Sequence, residues 1–159
     1  MIRIQQETFD PGAEIKALTQ DRTEIGAVVS FTGLVRGASS GGDDASHPTI
    51  TAMTLEHYPG MTEAALADIE AEAHARWPLT GSVIIHRIGR LLPGEPIVLV
   101  VTASAHRRAA FEAAEFLMDW LKTKAPFWKR EETDAGARWV EATEADEAAT
   151  ARWAQSSAG

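Results

Sequence analysis

Residues 97–104 (IVLVVTAS) are apolar at most positions and run without a turn into residues 105–124, the longest stretch of helical spacing in this 159-residue chain. A run that is apolar throughout, and not only at alternate positions, suits a strand buried on both faces. The helix carries Ala110, Ala113, Ala114, Leu117, Trp120 and Leu121 on a broad apolar face, so most of it belongs to a core. Ser104, where the strand stops, is the expected N-cap. Pro126 cannot continue the helix, so the chain turns out at Ala125. Phe127 and Trp128 are expected to pack that turn down, with Lys129 carried on an ordered loop.

The other segments are shorter. Residues 2–7 read as a strand, and Asp10-Pro11 opens a helix reaching about Thr19, with Asp as cap and Pro at the first helical position. Residues 26–35, 50–57 and 82–88 read as strands. Pro59-Gly60 reads as a turn, and Thr62 as the cap of a helix that Trp77-Pro78 ends after Arg76. A turn around Pro93-Gly94 joins residues 82–88 to 97–104. Thr143 begins T-x-x-D, a capping-box start for a last helix ending near Trp153. Residues 37–49 (GASSGGDDASHPT) have no periodicity and are expected to form a mobile loop, and residues 154–159 a disordered tail. Strands and helices mix without strict βαβα alternation. The expectation is a single α+β domain over residues 1–159, a mixed sheet with packed helices.

The formal net charge is −8, from 15 basic and 23 acidic side chains, which argues against binding of extended nucleic acid. The distribution is uneven. From His106 to Arg130, the cations Arg107, Arg108, Lys122, Lys124, Lys129 and Arg130 meet only Glu112, Glu115 and Asp119. Three of the four lysines fall between positions 122 and 129. One reading is a solvated helix end, where cations suit the dipole. The other is an anion site whose lysines serve chemistry, since lysine gives up its proton when desolvated and arginine does not. His106 and Arg107 stand at the helix start, where a cation opposes the dipole, and their presence there points to a phosphate or carboxylate partner.

His106 and Lys122 are about 24 Å apart at ~1.5 Å per residue. One small-molecule site cannot use both ends of one helix. Either the ends serve different functions, or two copies pair so that one helix start approaches the other's helix end, as a two-fold homodimer allows.

The chain has no cysteine, which removes disulfides, thiolate metal sites and any persulfide of its own. Phosphate-loop, dinucleotide and H-E-x-x-H motifs are absent and no histidines pair at i, i+4, so no cofactor and no metal are expected. No run spans a bilayer, and residues 1–10 lack an apolar signal core; a cytoplasmic protein is expected.

The segments GAVVSFTGLVR (26–36), LEHYPGM (55–61), RWPL…IIHRIG (76–89), SAHR (104–107), LKTKAPFWKRE (121–131) and RWVEA (138–142) together resemble the catalytic, large-subunit family of molybdopterin synthase, MoaE-like, over roughly residues 2–153. The resemblance implies an α/β-hammerhead fold and a sulfurtransferase that adds two sulfurs to cyclic pyranopterin monophosphate, forming the molybdopterin dithiolene of molybdenum cofactor biosynthesis. It implies a homodimer core of a heterotetramer, with a small ubiquitin-like sulfur-carrier subunit at each end supplying a C-terminal Gly-Gly thiocarboxylate. It further implies Lys122 and Lys129 as catalytic, and Leu34, Val35, Arg36, His106, Arg107, Arg130 and Glu131 as substrate-binding. Many members have lysine where Leu34 stands, which weakens Leu34 as a polar contact. A donor protein for sulfur agrees with the lack of cysteine. The rival readings are a phosphometabolite-binding scaffold and a lysine-dependent lyase acting through a Schiff base.

Overall fold

The computed structural model describes residues 1–38 and 48–155. Along the chain these form β1 (Ile2–Gln5), α1 (Pro11–Thr19), β2 (Ala27–Leu34), β3 (Ile50–His57), α2 (Met61–Arg76), β4 (Leu79–Arg87), β5 (Gly89–Leu91), β6 (Pro96–Ser104), α3 (Arg107–Thr123), β7 (Phe127–Thr133), β8 (Gly136–Val140) and α4 (Glu144–Gln155). The α+β architecture is the expected one.

β6 lies inside a mixed sheet of order β1-β4-β6-β2, antiparallel to both neighbours, while β1 joins β4 in parallel. Its side chains alternate between two cores, as strand geometry requires. Val98 and Val100 pack with Leu66, Ile84, Phe116 and Leu117 beneath α2 and α3. Leu99 and Val101 pack with Phe9, Val83 and Ile85 on the α1 side. Burying a side chain such as Phe116 or Leu117 contributes roughly 2–3 kcal/mol each. Trp77, Phe116 and Trp153 meet edge to face at 5.3–5.6 Å and fasten α3 to the end of α2 and to α4.

A second, antiparallel sheet has the order β5-β3-β7-β8 over a small core of Val35, Ile50, Met53, Leu55 and Leu91. Two of its strands, β5 and β7, stand where a connecting turn and an ordered loop were expected, and β8 forms where no element was expected. The segment KREET in β7 is almost wholly charged or polar, so it lacks the alternation that marks a strand. Its pairing with β3 along Leu55↔Lys129 and Thr54↔Arg130 holds it instead. Lys129 therefore stands on a strand, not on a loop.

Asp10 caps α1 as expected, its Oδ1 accepting from Gly12 N–H at 2.8 Å. Thr143 and Asp146 form the full capping box of α4. Two expected caps differ. Ser104 donates its hydroxyl to the Pro78 carbonyl at 2.9 Å, and His106 occupies the N-cap of α3 without a side-chain bond. Gly60, at φ 82°, is the N-cap of α2, and Glu63 Oε2 accepts its N–H at 2.6 Å. Thr62, fully buried, accepts from Tyr58 N–H and donates to the Pro126 carbonyl at 3.1 Å, tying the start of α2 to the turn after α3.

Gly26 sits where β2 meets the β6–α3 junction. A Cβ there would lie 2.2 Å from the Ala105 carbonyl oxygen, so no side chain fits. The roots of the expected loop pair with each other: Ala38 bridges Thr49, and Ile50 N–H donates to Gly37 at 3.0 Å. Residues 39–47 and 156–159, on which the remaining loop and tail expectations fall, lie outside the described residues. No described helix is long and apolar enough to cross a membrane.

Candidate functional site

Three cations from separate elements converge on one pair of adjoining clefts. Lys122 comes from the last turn of α3, Lys129 from β7, and Arg36 from the segment just after β2. The clefts measure about 180 and 350 Å³. Leu34, Ile97 and Leu121 line both and give the cations an apolar wall.

The two-residue period of β7 sorts its side chains. Phe127, Lys129 and Glu131 point inward, whereas Trp128 and Arg130 point out and are exposed. Phe127 stacks on His86 of β4, with ring centres 3.7 Å apart and planes 14° apart. Glu131, 2% exposed, accepts from Arg138 Nε at 3.0 Å. Lys129 is half-buried, and burial pushes its ammonium below the usual lysine range. The charges of Lys122 and Arg36 push the same way, while Asp146 and Glu131 oppose them. A lysine so placed can give up and retake a proton near neutral pH more readily than a solvated one.

Two further residues complete the site, and spacing alone did not reveal either. Asp146 lines the smaller cleft. Burial opposes its ionisation, but the N–H and hydroxyl of Thr143, with Lys122 and Lys129, hold its carboxyl below the usual range. The capping box was legible; that it would aim into a cleft was not. His86 lines the larger cleft. Burial pushes its imidazole down to about 4; Lys129 and His57 add to this, and a bond to the Arg87 carbonyl opposes it. Nδ1 lies 2.9 Å from that carbonyl oxygen, so Nδ1 carries the hydrogen and Nε2 the lone pair. His86 is therefore neutral at physiological pH.

The remaining expected residues, Leu34 apart, fall elsewhere. Val35 is 3% exposed, and its side chain belongs to the core of the second sheet. Leu34 is 54% exposed at the mouth of the clefts, an apolar contact only. Arg130 is on the outer face of β7, opposite Trp139 of β8. His106 and Arg107 stand at the start of α3 beside Arg108 and Phe111, on an open surface. Fifteen residues separate Arg107 from Lys122, about 22 Å along the helix. Between the two ends, Val29 and Phe31 of edge strand β2 and Phe111 and Met118 of α3 line a shallow apolar surface. Among the described residues no group of three or more His, Asp or Glu could hold a metal ion.

The family model described as MoaE protein matches residues 4–124. The chain is 57% identical over 152 residues to the molybdopterin synthase catalytic subunit of Pseudomonas aeruginosa, covering 96% of this chain and 97% of that relative. It is similar to the solved structure of the molybdopterin biosynthesis MoaE protein from Burkholderia ambifaria, with a TM-score of 0.79 and 51% identity over 97% of each chain. A chain of the protein–protein complex of subunits 1 and 2 of the molybdopterin-converting factor from Helicobacter pylori shares the fold, with a TM-score of 0.65 and 23% identity over 90% of each chain.

Proposed function

The chain belongs to the MoaE family, the catalytic subunits of the enzyme molybdopterin synthase in molybdenum cofactor biosynthesis, and on that premise we propose that the cleft of Arg36, Lys122 and Lys129 is where sulfur is delivered to cyclic pyranopterin monophosphate. The observation that carries this reading is the half-buried Lys129, its basicity lowered by burial, sharing an apolar-walled cleft with Lys122. The sulfur donor is a small ubiquitin-like subunit whose C-terminal Gly-Gly thiocarboxylate reaches into the cleft. The Helicobacter pylori complex, a pairing of two subunits, supports such a partner.

In each of two rounds the thiocarboxylate sulfur bonds to a pterin side-chain carbon as a carbon–oxygen bond at that carbon breaks, the oxygen leaving as water or with the phosphate, and the acyl carbon–sulfur bond of the resulting thioester then breaks. Water takes the place of sulfur on the acyl carbon, leaving the donor with an ordinary carboxylate. Lys129 polarises the acyl oxygen and supplies a proton as charge develops there. Lys122 serves beside it as general acid and base. Arg36 and Glu131 shape the substrate end of the cleft, Arg36 as a phosphate or pterin contact.

His106 and Arg107 enter the site from a second copy of the chain. The apolar surface of Val29, Phe31, Phe111 and Met118 lies between the two ends of α3, where a two-fold partner would bring them together. Arg130, on the outer face, contributes charge at the rim and not a direct contact. A cytoplasmic location belongs with this reading, as does the absence of any cofactor.

The test mixes the chain with thiocarboxylated small subunit and cyclic pyranopterin monophosphate, then assays the dithiolene. Lys122→Ala and Lys129→Ala are expected to abolish most product while still binding the small subunit. Unchanged product in both variants refutes the assignment.

A further inference from the structure

We propose that Asp146 is a positioning residue of this cleft: its carboxylate, fixed by the capping box of α4, is the counter-charge that the cleft sets against Lys122 and Lys129. The inference rests on the sulfur-transfer reading of the cleft. It concerns a helix beyond residue 124, where the family match ends.

The geometry begins with the cap. Thr143 N–H donates to Asp146 Oδ2 at 3.0 Å, its hydroxyl donates to the same oxygen at 2.8 Å, and Asp146 N–H donates back to Thr143 Oγ1 at 3.2 Å. These bonds fix the carboxylate and leave Oδ1 outside the capping box. The same side chain lines the cleft that holds both lysines and Arg36.

The charged groups around it come from every element packed there. They are Lys122 of α3, Lys129 and Glu131 of β7, Arg36 after β2, and Glu141 ahead of α4, with His86 of β4 neutral. Glu131 is engaged by Arg138, and Glu141 is exposed. Asp146 is thus the half-buried carboxylate fixed at the lysine pair. Without this counter-charge, Lys129, the half-buried cation of the three, would face Lys122 and Arg36 and release its proton at lower pH. Asp146 accordingly supports protonation of Lys129, and the two lysines reciprocally favour its ionised form.

Asp146→Asn keeps the shape and an acceptor for Thr143 while removing the charge. With thiocarboxylated small subunit and cyclic pyranopterin monophosphate, the alkaline limb of its kcat profile is expected to move to lower pH, with product falling severalfold at the wild-type midpoint. KM for the anionic small-subunit tail should not rise. Asp146→Glu is expected to restore part of the limb, which a purely structural role would not do.

A second readout needs no turnover. With four lysines in the chain, the Lys129 Cε resonance can be assigned and titrated. It should deprotonate at lower pH in Asp146→Asn. In the unmutated protein it should show a small acid inflection where Asp146 protonates. An unmoved limb together with an unmoved Lys129 titration overturns the proposal. If the Asn variant does not fold, absence of the acid inflection in the unmutated protein does so. A fully active Lys129→Ala sinks the reading of the cleft itself. An inactive Lys129→Ala beside an unaltered Asp146→Asn sinks only this proposal.

Discussion

The two ends of α3 are built on opposite plans. At its C-terminal end, Lys122 meets Lys129 from β7, Arg36 from the segment after β2 and Asp146 from α4, against apolar walls. At its N-terminal end, His106 and Arg107 stand on an open surface lined, among the described residues, by α3 alone. Both ends are basic, so charge alone does not separate them. Enclosure does. A cation in a walled cleft has its proton affinity altered and can do chemistry, whereas a cation at an open helix start can only attract an anion. On the proposed reading, the first end does the chemistry and the second supplies a binding contact to a partner's cleft.

The comparison breaks most sharply at the lysines. Lys129→Ala and Lys122→Ala are expected to lower dithiolene formation by roughly a hundred- to ten-thousandfold, the range for general acid–base groups. Arg107→Ala, read as a binding contact, should raise KM for the pterin far more than it lowers kcat. Co-expressing Arg107→Ala chains with Lys122→Ala chains then asks where the half-site finds its complement. If the site is shared across a two-fold dimer, half the dimers are mixed and each holds one intact site, so about one quarter of the activity returns. Sites confined to single chains would return none.

Smaller effects test each end's scaffold. His86, beside the lysines, has its pKa pushed down to about 4 from 6.5. The unfolded chain binds the proton more readily, so this contribution to stability is present above about pH 6.5 and lost as pH falls toward 4. It amounts to roughly 3 kcal/mol in full. Urea midpoints at pH 7.5 and 5 should show this loss, and His86→Gln should flatten it. At the other end, Gly26→Ala sets a methyl group against the Ala105 carbonyl. It should cost about 1–3 kcal/mol of stability and weaken pterin binding more than small-subunit binding, because the start of α3 must shift. Thr143→Ala removes the cap of α4 for about 1 kcal/mol, visible as a small fall in Tm.

Much of this was legible in the residues themselves. Continuous apolarity marked β6, and alternation, prolines and capping signals placed α1, α2, α3 and α4 to within a few positions. The clustering of Lys122 and Lys129 pointed to an anion site, and the outside sulfur donor was implied by the family resemblance, with which the lack of cysteine agrees. Three things were not legible. β7 carries charge where a strand usually alternates, since its inward Lys129 lines the cleft and its inward Glu131 pairs with the half-exposed Arg138, and pairing with β3 overrides local preference. Ser104 was a sound cap by type, but its hydroxyl is spent on Pro78. His86 gave no sign of its place beside the lysines, because stacking on Phe127 is a contact between strands far apart in the chain.

That separation has a kinetic side. Leu55 pairs with Lys129 from 74 positions away, a span like that of Ala27↔Ser104 in the first sheet, but the first sheet has all its strands by residue 104. Ordering so long a loop costs entropy before the pairing repays it. As the chain leaves the ribosome, β3 waits with one edge unpaired until β7 emerges, and an unpaired edge invites association with other chains. The amine pair comes together only when β7 docks. Turnover is therefore a sensitive reporter of completed folding, and a chain cut short after α3 would keep much of its core yet be catalytically silent.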